Sequence, residues 1–138
     1  MKALSGYAEW FWLMAKNYKD VENRNWPLSR GFTLAQLPAR IYLHASKTGA
    51  SRDEIDFIHK ALNDYQWNEF CEVEWDKLRG HIFAEITVYG DVLELDSPWF
   101  FGEHGFLVGE GKFINPPIPY RGQLGFFPVD DKLLYVRG

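Results

Sequence analysis

The chain has 138 residues, a length that suits one domain of roughly 100–200 residues with a single buried core. A hydrophobic fraction of 46% and a charged fraction of 25% exclude general disorder. Fifteen Lys and Arg against nineteen Asp and Glu give a net charge of -4, which excludes bulk electrostatic attraction to a polyanion, so any RNA contact needs a local basic patch or a base pocket.

In chain order, Tyr7, Trp10, Phe11, Met14 and Tyr18 recur at three- and four-residue steps and predict a first helix with a buried aromatic stripe. Lys19 to Pro27 reads as a short extended segment, with Glu22, Arg24 and Trp26 on one face and Val21 and Asn23 on the other. Leu28 to Ala39 reads as a loop broken by Gly31 and Pro38. Arg40 to His44 predicts a strand, with Ile41 and Leu43 opposite Tyr42 and His44. Ser51 and Glu54 have capping-box spacing and open a second helix with Ile55, Ile58 and Leu62 on its apolar side. Helical or irregular structure is expected to about Trp75, with a break at Gly80.

His81 to Asp91 is the clearest strand. Its alternation puts Ile82, Ala84, Ile86 and Val88 on one side and Phe83, Glu85, Thr87 and Tyr89 on the other. Glu85 sits among bulky side chains, where burial would favour its neutral acid; the alternative is a barrel glutamate paired with an Arg or a backbone donor. Asp96 to Gly105 excludes a regular helix or central strand through its Pro and glycines. Its Trp99-Phe100-Phe101 run reads as an interface patch or as a plug for one barrel end. Strands near Phe106–Ile114 and Gln123–Val129 follow, joined by a stiff turn at Asn115–Pro119. No repeat, linker or parallel βαβ unit is evident, so residues 1–138 read as one α+β domain: a small mixed β-barrel with flanking helices.

Several known constellations are missing: a P-loop, GxGxxG before a helix, HExxH and GxSxG. His44, His59, His81 and His104 are scattered and Cys71 is the sole cysteine, so neither a disulfide nor a metal or other cofactor is expected. Met1 to Gly6 lacks a secretory hydrophobic run and no stretch approaches membrane-spanning length, which predicts a cytoplasmic protein without a membrane partner. A distributed polar set remains. Lys19, Glu22 and Arg24 fall within six residues, and Lys47 follows His44 by three. Taken alone, the Glu–Arg pair reads as a solvated ion pair. Trp26 beside it adds a ring that, with a guanidinium, can sandwich a base.

These residues resemble the ASCH family. Lys19 to Trp26 is similar to its Gly-x-Lys-x-x-Glu-x-Arg-x-Trp signature, with Asn17 at the Gly position. Ile41 to Lys47 resembles its strand ending in His-Ala-Ser-Lys, and Gly80 to Glu85 its central Gly-x-Ile-x-Ala strand. Ser97-Pro98-Trp99-Phe100 resembles its Ser-x-Trp-Phe loop, and Arg121 to Gly125 its closing Arg-Gly strand. The five matches stand in family order as far as about Phe127, whereas Leu37 to Arg40 replaces a Tyr-Arg-Gly turn. The resemblance implies a PUA-like barrel whose signature residues line a cleft that binds RNA or a modified nucleobase. Arg24, Trp26, His44, Lys47, Ser97 and Trp99 would then meet the RNA or nucleoside partner. Two members' activities imply an alternative, a metal-independent ribonuclease or an N4-acetylcytidine amidohydrolase, with Lys19, Glu22 and Glu85 as candidate catalytic groups. That amidohydrolase has a catalytic Thr where Glu22 stands here, so its mechanism does not transfer intact. A protein-interaction adaptor using Trp99 to Phe101 is the third reading.

Overall fold

The computed structural model describes residues 1–132. Nine main elements follow in order: β1 (Lys2–Gly6), α1 (Ala8–Ala15), β2 (Val21–Arg24), β3 (Ala39–Ala45), α2 (Arg52–Ala61), α3 (Asp64–Cys71), β4 (His81–Val92), β5 (His104–Pro119) and β6 (Phe126–Pro128). Single 3-10 turns at Leu28–Arg30, Leu34–Gln36 and Trp75–Lys77 fill connections. The strands form one sheet in the order β2-β5-β4-β3-β1-β6, curled into a half-barrel. β1 and β3 run parallel; every other pair is antiparallel. Among the described residues, no helix is long and apolar enough to cross a membrane.

α1 is buried almost all round, from Ala8 and Glu9 through Phe11 to Ala15, so its apolar surface is wider than the expected stripe. Tyr7 stays exposed ahead of the helix, and Tyr18 lies beyond its end. The stop is a left-handed residue, Asn17, with φ of 62°. Asn tolerates that conformation better than other residues with a Cβ, which accounts for its use where the resembled signature has Gly. The Asn17 N–H bonds the Met14 carbonyl and the Tyr18 N–H the Leu13 carbonyl, a paired closure that satisfies the last carbonyls of the helix. The Asn17 side chain also clasps the Gly111 backbone, accepting from its N–H at 2.7 Å and donating to its carbonyl at 3.2 Å. The first helix is thereby latched to β5.

α2 opens with the expected capping box: Ser51 Oγ accepts from the Glu54 N–H, and Glu54 Oε2 accepts from the Ser51 N–H. Buried Glu9 accepts from Arg79 Nη2 at 2.8 Å and from the Ala50 N–H at 3.1 Å, tying α1 to the entry of α2.

Three expectations are corrected. The alternation along β4 breaks at a register shift between Ile82 and Ala84, so Phe83 joins Ala84, Ile86 and Val88 in the main core. Ile82 packs instead with Ala3, Tyr42, Ile118 and Phe127 in a second cluster. A bulge of this kind re-aims side chains without ending a strand. The proline-rich segment expected as a turn belongs to a continuous β5, since β2 covers β5 only as far as Leu107. Beyond it the outer edge of β5 has no strand neighbour among the described residues, and a proline there forfeits no ladder bond. The strand expected near Gln123–Val129 is shorter, Phe126–Pro128, and residues 120–125 form a loop instead.

A Cβ on Gly111 would lie 2.7 Å from the Ala15 carbonyl oxygen and closer still to that of Met14. Gly111→Ala is therefore expected to cost about 1–3 kcal/mol, read as a lower urea midpoint with unchanged slope. An unchanged midpoint would contradict the latch.

Candidate functional site

A cleft of about 1110 Å³ opens between the start of α1, β2, the end of β3 and the 120–125 loop. Lys19, Glu22, Arg24, Trp26, His44 and Lys47 all line it, so the signature strand and the His-Ala-Ser-Lys segment converge although about 20 residues separate them. Ser5, Tyr7, Trp10 and Phe101 complete its inner wall and aromatic rim.

Lys19 is almost wholly buried, with 3% of its surface exposed. Its ammonium donates to the Val21 carbonyl, lies 3.9 Å from Glu22 Oε1 and sits 5.5 Å from the centre of the Trp10 ring. Burial pushes this amine down to about 8; Glu22 and Asp20 pull it upward, and Arg24 adds to the lowering. An amine with that pKa exchanges protons near physiological pH, which an ordinary lysine does not. Glu22 is shared between two cations, because Arg24 also reaches its Oε2 through Nη2 at 2.7 Å and Nε at 2.9 Å. The same Arg24 Nη2 donates to the Ser5 carbonyl at 3.0 Å and so spans the gap between β2 and β1.

His44 is also buried. Its Nε2 lies 2.6 Å from the Tyr120 carbonyl oxygen, which can only accept, so Nε2 carries the hydrogen. Burial holds the imidazole below its usual pKa; hydrogen bonding at Tyr120 opposes this. The neutral ring presents a bare Nδ1 to Ser5 Oγ at 2.9 Å.

Three candidate residues lie elsewhere. Glu85 does not line the cleft; it pairs with Arg40 Nη2 at 2.6 Å, the barrel-glutamate alternative, as β3 and β4 bring the two strands together. Ser97 Oγ donates to Asp20 Oδ1 at 2.8 Å and accepts from the Trp99 N–H, bracing the loop ahead of β5. Trp99 is buried with its ring 6.4 Å from Trp10, and its carbonyl accepts from Asn23 Nδ2 at 2.8 Å. Ser97 and Trp99 therefore support cleft residues from behind. The Trp99–Phe101 run divides accordingly: Trp99 goes to the core, while Phe101 stays 47% exposed on the cleft rim.

Trp26 lines the cleft but is partly committed, with its ring edge-on to Phe106 and Phe126 at 5.5 Å and with Arg24 and Arg30 within 6 Å. Tyr7 and Phe101 are the more exposed rings at the mouth. The sequence pointed Tyr7 to a buried helix stripe, Phe101 to an interface patch or plug and Arg121 to Gly125 to a closing strand, and it gave no signal for Ser5. Among the described residues, no group of three His, Cys, Asp or Glu side chains is arranged to hold a metal.

Comparison with known proteins finds no matching family model and no matching curated protein. The carbon resonance beside the Lys19 amine is expected to titrate with a midpoint near 8 rather than 10.5. Between those values the unfolded chain binds the proton that the folded chain has released, so stability rises with pH across the window. The rise is expected in wild type and absent in Lys19→Met; equal pH profiles from urea unfolding would contradict the burial argument.

Proposed function

We propose that the cleft binds RNA or a modified nucleobase, within an ASCH-like, PUA-like barrel. The observation that carries this reading is the local reversal of charge. Four cations, Lys19, Arg24, Lys47 and Arg121, line the cleft against two carboxylates, Glu22 and Glu54, in a chain whose overall balance is acidic. Cationic groups meet phosphate, while exposed rings such as Tyr7 and Phe101 offer stacking surfaces that tolerate any base. Glu22, held by Lys19 and Arg24, provides a fixed acceptor for the edge of a base.

The amine of Lys19, poised near neutrality, favours a second reading as a metal-independent hydrolase. A ribonuclease would use Lys19, Arg24 and Lys47 against the charge of a phosphorane. An amidohydrolase would need a different nucleophile from the Thr of the resembled enzyme, because Glu22 has no hydroxyl.

Lys47 and Arg121 are exposed and test the binding reading without disturbing buried groups. Fluorescence anisotropy with a short single-stranded RNA is expected to show salt-sensitive binding. Lys47→Ala and Arg121→Ala are each expected to weaken it and to reduce the salt slope by about 0.7. Binding that is absent at low salt, or unmoved by both substitutions, would contradict the reading.

A further inference from the structure

We propose that Ser5 and His44 form a nucleophile–base pair through which the cleft accepts an acyl group from a small ester onto the Ser5 hydroxyl. This goes beyond the binding reading and does not depend on it. The two residues stand opposite each other in the parallel β1–β3 pair, and both line the cleft. Ser5 Oγ and His44 Nδ1 are 2.9 Å apart, and the bond from Nε2 to the Tyr120 carbonyl fixes which nitrogen is bare. The serine hydroxyl must therefore donate to the imidazole. An activated nucleophile requires a hydroxyl within reach of a neutral base that a third group orients. Here the third group is a backbone carbonyl, and burial keeps the base unprotonated at neutral pH.

The surroundings suit an attacked carbonyl. Arg24 Nη2 rests on the Ser5 backbone oxygen at 3.0 Å, which places a cation beside the residue that carries the hydroxyl. α1 begins three residues after Ser5, and its N-cap residue Tyr7 supplies no side-chain hydrogen bond to the first turn. Two glycines frame the pair. A Cβ on Gly6 would lie 2.6 Å from the Phe11 ring, and one on Gly122 would lie 2.8 Å from His44 Cε1 and 2.9 Å from Ser5 Oγ. The loop thus passes over the pair at a distance that only glycine permits.

In the reaction, Ser5 Oγ adds to the acyl carbon while its proton passes to His44 Nδ1. The bond from that carbon to the leaving oxygen breaks, and His44 returns the proton to the departing alcohol. Water then attacks the acyl–Ser5 ester by the same proton route, releasing the acid and restoring the hydroxyl.

The test is covalent labelling of the whole protein with a fluorophosphonate probe, followed by peptide mass mapping, with RNA anisotropy on the same preparation. One adduct on Ser5 is expected, absent in Ser5→Ala and formed about a hundredfold more slowly in His44→Gln. Circular dichroism establishes that each variant is folded. Nitrogen NMR of wild-type His44 adds a readout that needs no substitution, with hydrogen expected on Nε2 and a bare Nδ1. No adduct at Ser5, equal labelling of folded His44→Gln, or hydrogen on Nδ1 of the neutral ring overturns the proposal, whatever the RNA result.

Discussion

The site is organised by the burial of the Lys19 amine. An ammonium removed from water needs partners, and its surroundings supply the Val21 carbonyl, the Glu22 carboxylate and the face of Trp10. Each of those partners is held by something further away. The Asn17 turn aims the chain at the end of α1, β2 pairs with β5 to hold Glu22, and Trp99 packs against Trp10. Arg24 then neutralises the far oxygen of Glu22 and reaches the Ser5 carbonyl. Among the described residues, no buried side-chain nitrogen or oxygen is left without a hydrogen-bond partner, so the buried charges are met by geometry as well as by opposite charge.

This network also closes the half-barrel where no ladder does. β2 and β6 are the two edges of the sheet and do not pair with each other. Arg24 bridges part of that gap. Ring contacts bridge the rest, since Phe126 beside β1 meets Trp26, Phe32 and Phe106. The cleft occupies the remainder of the opening, which explains why it is both polar and aromatic: its walls are the same groups that join the edges. A cavity built this way can hold an anionic, flat ligand in a protein with a net negative charge.

The sequence carried the local features well. The Ser51–Glu54 capping box, the strand near His81–Asp91 and the grouping of Lys19, Glu22 and Arg24 each depend on short spacings, and each is found. Features set by distant pairing were not legible. β1 has few strand-forming residues and exists because it fits between β3 and β6. The Ser5–His44 contact joins residues 39 apart through that parallel register, and no motif announces it. The prolines of β5 suggested a turn because nothing in the local sequence reveals that they fall on an unpaired edge. Glu85 left two readings open for a related reason, and the pairing with an Arg is the one found. Its neighbours along the strand are bulky, yet its decisive neighbour is Arg40 on the adjacent strand.

The most direct test of the account is an NMR titration of the six tryptophan indole N–H signals with a short single-stranded RNA. Trp10 and Trp26 line the cleft, whereas Trp12, Trp67, Trp75 and Trp99 do not. Saturable shifts concentrated in Trp10 and Trp26 are the result this account requires. Shifts confined to the other four, or no shifts at low salt, would show that the cleft does not bind RNA.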